Sequence, residues 1–165
     1  MTEREIYVDD LRQLYRQYGI NRPCEEDVKI MLASLEGRMV FPEVKETVSR
    51  LQKHFRMVIG STSDSASLAR NMAENDFATD AVYTSEDMRV YKPKSEFYNH
   101  ILRQEGVLPQ QAVFVGDSIG DDVAGPQSVG ITGILIDRKN SYDPACGITP
   151  DFYIKTLDEL LKILI

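Results

Sequence analysis

The 165-residue chain reads as an α/β fold, a doubly wound parallel sheet that follows a short all-helical segment. Three observations predict it. From residue 57 onward, short apolar runs alternate with amphipathic stretches. The runs are apolar throughout, as strands covered on both faces are, and do not alternate as half-exposed strands would. The N-terminal residues carry helical spacing and no strand signal. The expected division is therefore a helical segment over 1–41 and an α/β core over 42–165.

The elements follow in order. Tyr7, Leu11, Leu14, Tyr15 and Tyr18 fall on one helical face, which Gly19 ends. "CEEDVKIMLASLEG" is a second helix after Pro23, and its acidic first turn suits the helix dipole. "FPEVKETVSRLQKH" is a third, with Pro42 at its start and Val44, Val48 and Leu51 as its stripe. The strands predicted next are 57–60 ("MVIG"), 81–83 ("AVY"), 112–115 ("AVFV"), 133–136 ("GILI") and 151–154 ("DFYI"). Between them, Leu68, Met72 and Ala73 share a helical face, as do Phe97 and Ile101. Leu157, Leu160, Leu161 and Leu164 form the C-terminal stripe, opened by Thr156 and Glu159 at capping-box spacing. Pro126 falls in the helix expected after "GDD". There it removes a hydrogen bond to the Asp122 carbonyl and predicts a kink.

Charge and composition narrow the function. The chain carries 26 acidic and 19 basic residues, a net charge of −7, which argues against nucleic acid or an anionic membrane surface as the partner. No apolar run reaches the roughly 18 residues of a membrane span, and the charged N-terminus does not resemble a signal peptide. Cys24 and Cys146 lack metal-site spacing and read as free thiols of a reducing compartment, so a cytoplasmic location is expected.

In a parallel sheet, the carboxyl ends of the strands converge on one edge, where such folds bind ligands. Three of these ends carry polar chemistry. "MVIG" runs into Ser61, Thr62 and Ser63. "AVY" leads to Lys92, which Pro93 keeps on an extended segment. "AVFV" runs into "GDSIGDD", with Asp117, Asp121 and Asp122 close together. Two carboxylates about 4 Å apart repel by ~4 kcal/mol at an effective dielectric of 20. Mg²⁺ removes that conflict, and it typically binds one or two carboxylates plus waters and phosphate oxygens. The spacing excludes a calcium EF-hand, which needs acids or amides at its third position and Glu at its twelfth. Taken singly, Ser61 is an ordinary helix cap, Lys92 a solvated lysine and "DSIGDD" a turn. Their order on three successive strand ends is the signal.

Those residues resemble the haloacid dehalogenase superfamily of hydrolases, mostly phosphatases. "VIGSTSD" resembles its second motif, with Ser61 in place, and "VYKPKSEFY" the third, with Lys92. "VFVGDSIGDDVAG" resembles the fourth, with Asp117 first and either Asp121 or Asp122 second; the following "VAG" favours Asp122. The resemblance implies a Rossmann-like core with an N-terminal helical cap, of which residues 1–41 are a remnant. It also implies a phosphatase of a small phosphorylated molecule that uses Mg²⁺. Ser61 and Thr62 would bind the phosphoryl group, Lys92 would neutralise its charge, and Asp117 with Asp121 or Asp122 would hold the metal. The family's first motif, D-x-D-x-T/S, carries the nucleophile, and nothing here matches it: Asp9 and Asp10 are adjacent and lie in a helix.

The expectations are therefore a chain truncated ahead of that motif, weak or absent Mg²⁺ binding and no turnover. A non-catalytic binding or dimerisation module is the alternative. In the family, the first strand lies between the strands read here as "MVIG" and "AVFV". Its lack predicts that these two pair directly, or that a second copy of the chain fills the place. A receiver-like module fits poorly, because its acids precede its hydroxyl and lysine, the reverse of the order here.

Overall fold

The computed structural model describes residues 2–34 and 36–165. In chain order its elements are helices α1 (Glu3–Tyr18), α2 (Glu25–Ala33) and α3 (Val44–Leu51), strand β1 (Val58–Ser61), helix α4 (Ser65–Glu74), strand β2 (Ala81–Thr84), helices α5 (Ser85–Met88) and α6 (Ser95–Glu105), strand β3 (Val113–Gly116), a π-helical turn (Ile119–Ala124), helix α7 (Gly125–Gln127), strands β4 (Thr132–Ile136) and β5 (Phe152–Ile154), and helix α8 (Leu160–Leu164). All five predicted strands form, each within about two residues of the predicted bounds. The chain divides into two compact units. One comprises residues up to Val40 with Ser63–Ala78; the other comprises Phe41–Thr62 with Thr79–Ile165.

The first unit is helical. The Thr2 hydroxyl accepts from the Glu5 amide while the Glu5 carboxylate accepts from the Thr2 amide, and Gly19 closes α1 in the left-handed conformation. The predicted stripe of α1 buries little: no side chain of α1 is buried, and Tyr18 is 70% exposed. Its neighbour α2 contributes the tightly packed residues, Cys24 and Val28. Asp27 accepts from Arg22 at 2.6 Å and from the Tyr15 hydroxyl, so that tyrosine is a packing and hydrogen-bonding group. The segment that holds α4 is tied to α1 by the Glu3 amide, which donates to Asp64 at 2.7 Å, and to the Arg38 carbonyl through Asn75.

The second unit is the α/β core. β1 and β2 are parallel, with Ser61 opposite Thr84. β3, β4 and β5 are parallel in that order. The expected direct pairing of the "MVIG" and "AVFV" strands is not formed, because the strands make two separate sheets. They meet at side-chain distance: a Cβ on Gly60 would lie 3.4 Å from the Phe114 ring and 3.3 Å from that of Phe97.

Helices cover both faces. Leu51, Ile134, Ile136, Ile154 and Leu160 form one cluster with Val115 against it. Phe97, Tyr98, Leu102 and Ile131 form another with Phe114 against it. Successive residues of β3 thus enter different clusters, as the two-residue period of a strand requires. Each fully buried Leu, Ile or Phe contributes ~1.5–3 kcal/mol.

The predicted box of Thr156 and Glu159 is present and opens a single 3₁₀ turn, from which α8 continues. Among the described residues, both cysteines are free and no helix is long and apolar enough to cross a membrane.

Candidate active site

The predicted site residues all belong to the second unit. Ser61 ends β1, half-buried, and Thr62 follows it. Asp117 comes directly after β3 and is exposed. Lys92 lies between α5 and α6, not on the expected extended segment but in a turn with a cis bond to Pro93, closed by the Lys94 amide donating to the Tyr91 carbonyl at 3.1 Å. Asp121 is half-buried and Asp122 buried, both in the π turn.

Two of these residues meet directly. The Lys92 ammonium lies 2.8 Å from Oδ1 of Asp122, with both side chains only about a tenth exposed (10% and 9%). The other oxygen of Asp122 accepts from the Ser118 amide at 3.0 Å. The like-charge conflict foreseen in "GDSIGDD" is thus relieved at Asp122 by an ammonium. The ammonium also lies 5.0 Å from the Phe114 ring centroid and 5.8 Å from that of Phe97, an attraction of ~0.5–2 kcal/mol. The same two rings close over Gly60, one residue before Ser61.

Asp117 opens instead onto a cleft of about 230 Å³ lined by Ile119, Leu135, Asp137, Tyr142 and Cys146 among others. Asp137 anchors that wall. Its carboxylate accepts from the Ser141 amide and hydroxyl, the Tyr142 amide and the Tyr153 hydroxyl at 2.9–3.1 Å. The Ser141 and Tyr142 amides hold its pKa far below the ordinary carboxylate range, and burial opposes them only in part.

The local fold at the acids corrects the expected kink at Pro126. The chain does not bend an α-helix there; it widens into a π turn over Ile119–Ala124, in which the Gly125 amide reaches back five residues to the Gly120 carbonyl. Ser118 caps the turn, its hydroxyl accepting from the Asp121 amide. Glycines allow the fit. A Cβ at Gly116 would stand 2.3 Å from the Asp122 carboxyl, and one at Gly125 would stand 2.1 Å from the Tyr98 hydroxyl oxygen. Sequence reasoning missed Tyr98, which is fully buried and whose hydroxyl donates to the Asp121 carbonyl. Burial, with Asp121 and Asp122 close by, raises its pKa above the ordinary value and keeps it a donor. No spacing in the sequence marks this contact.

Among the described residues, no group of three or more His, Cys, Asp or Glu side chains could hold a metal ion. Mg²⁺ typically binds one or two carboxylates plus waters and phosphate oxygens, and Asp117, Asp121 and Asp122 are the acids that would be available to hold it.

The haloacid dehalogenase-like hydrolase family model matches residues 5–130. The chain belongs to the haloacid dehalogenase-like hydrolases. It is 37% identical over 79 residues to haloacid dehalogenase-like hydrolase domain-containing protein 3 of Danio rerio, a match covering 48% of this chain and 33% of that protein. A glyceraldehyde 3-phosphate phosphatase of Methanopyrus kandleri is 24% identical over 191 aligned positions, covering 99% of this chain and 81% of that protein. The crystal structure of a 2-haloacid dehalogenase from Pseudomonas syringae superposes with a TM-score of 0.71 at 27% identity, over 98% of this chain and 69% of that one. The chain thus spans about a third of the length of the Danio rerio relative, and members of this hydrolase family named for phosphatase and for dehalogenase activity both resemble it.

Proposed function

We propose that this chain is the phosphate-binding part of a Mg²⁺-dependent phosphatase for a small phosphorylated molecule, and that it does not turn substrate over by itself. The observation that carries the reading is the buried Lys92–Asp122 pair, whose ammonium lies over the Phe114 and Phe97 rings. A buried ammonium would act as an electrophilic group toward a phosphoryl oxygen that gains charge. Ser61 and Thr62 donate hydrogen bonds to that group. Asp117 and Asp121, the more accessible acids, hold the metal; Asp122, with both oxygens already accepting, orients Lys92. Bound Mg²⁺ would neutralise and clamp the transferring group. The phosphatase name of the Methanopyrus kandleri relative supports this choice over dehalogenation.

Attack on phosphorus needs a nucleophilic aspartate, and no acid of this chain stands in a D-x-D-x-T/S pattern. β1 and β3 each pair on one side only among the described residues. A strand from a second copy or from another polypeptide segment would add to one of these edges and carry the nucleophile. The test is hydrolysis of p-nitrophenyl phosphate with Mg²⁺, by the chain alone and by the chain joined to an upstream strand bearing D-x-D-x-T/S. The expected result is background activity alone and turnover when joined, lost in Lys92→Ala. Asp117-dependent turnover by the chain alone would overturn the inactivity. Silence in both forms would favour the binding-module reading.

A further inference from the structure

We propose that Tyr98 is a positioning residue whose hydroxyl supplies the hydrogen bond that Pro126 withholds from the Asp121 carbonyl, and so sets the register in which Asp122 meets Lys92. The inference rests on reading the Lys92–Asp122 pair as the phosphate-binding end of the site. In the π pattern, the amide of residue i+5 bonds the carbonyl of residue i. For Asp121 that partner is residue 126, and proline has no N–H. The amide one place earlier, on Gly125, is used by the Gly120 carbonyl. The Asp121 carbonyl therefore needs a donor from outside the turn, and the Tyr98 hydroxyl provides it.

A packing role alone does not explain this arrangement. Tyr98 is fully buried, and phenylalanine would fill the same volume without a hydroxyl to satisfy. Its ring stands edge-on to Phe97 at 5.3 Å and to Phe114 at 5.5 Å, the two rings nearest the Lys92 ammonium. Gly125 leaves room for the hydroxyl, since a Cβ there would lie 2.1 Å from its oxygen. One side chain thus holds the turn that carries Asp122 and the floor under Lys92. Without the hydroxyl, the turn can regain its missing bond only by shifting register, which rotates Asp122 away from the lysine.

The experiment compares the full chain with Tyr98→Phe, Pro126→Ala and the double variant. It uses two readouts independent of hydrolysis: the unfolding midpoint in urea, and the Lys92 ammonium signal in ¹⁵N-detected NMR. That signal survives exchange only while the group is buried and paired. Tyr98→Phe is expected to lose or broaden the signal and to weaken folding on the order of tenfold, the effect of an orphaned buried carbonyl. Alanine at 126 restores an amide to the turn, so removing the hydroxyl in that background should cost much less and leave the signal in place. An unchanged Lys92 signal in Tyr98→Phe, or equal losses in the two backgrounds, would overturn the proposal. If Tyr98→Phe does not fold, folding of the double variant supports the proposal and its failure to fold overturns it. Silence of the phosphatase assay would leave these readouts unaffected.

Discussion

The ammonium of Lys92 and the carboxylate of Asp122, thirty residues apart in the chain, form a 2.8 Å ion pair that water barely reaches. A pair in that setting is unforgiving, because each charge depends on the other for its solvation. Removing one partner strands the other, at a cost of ~3–5 kcal/mol, whereas replacing both by apolar residues of similar size is often neutral. Lys92→Met should therefore lower stability by about that amount in urea unfolding, and Lys92→Met with Asp122→Leu should recover most of it. Equal losses in the single and double variants would show that the pair is not coupled.

Gly116 is the second sensitive position. A methyl group there would sit 2.3 Å from the Asp122 carboxyl, which Lys92 and the Ser118 amide hold in place. Gly116→Ala should cost ~1–3 kcal/mol, as overpacking of a fixed neighbour does. It should also expose the Lys92 ammonium to exchange. A variant as stable as the parent would mean that Asp122 moves freely.

The Asp137 wall predicts an acid-side loss of stability. Its folded-state pKa is depressed from the ordinary 3.8, first by the Ser141 and Tyr142 amides. The stabilisation from its ionised form is complete above the unfolded pKa and is lost as pH falls below it toward the folded value. Urea midpoints measured from pH 6 down to pH 3 should fall more steeply for the parent than for Asp137→Asn, which should be the less stable of the two at pH 6. Parallel curves would remove Asp137 from the acid response.

Mg²⁺ should bind the chain weakly, since two carboxylates without a substrate phosphate or a third ligand form a sparse shell. Calorimetry is expected to show binding in the millimolar range or none, and what there is should disappear in Asp117→Asn. A submicromolar affinity would require ligands beyond Asp117, Asp121 and Asp122.

Much of this protein is legible in its residue order. Apolar runs such as 112–115 and 133–136 mark buried strands because a strand covered on both faces has no polar side to display. Thr156 with Glu159, and Gly19 after α1, mark helix ends because their capping bonds are local. Ser61, Lys92 and Asp117 were legible as candidates because a parallel sheet brings its strand ends to one edge.

The tertiary structure decided what depends on distant partners. The neighbouring "VAG" only leans toward Asp122 over Asp121; it is Lys92, thirty positions away, that takes Asp122. Pro126 announces a disturbance, but whether a helix kinks there or widens depends on whether some other group can satisfy the freed carbonyl, and Tyr98 is that group. The break between β1 and β3 is likewise invisible in either strand, since an edge is unpaired only by reference to what lies beside it. Periodicity and caps act within a few residues, whereas burial, pairing and hydrogen-bond satisfaction are settled only when remote segments meet.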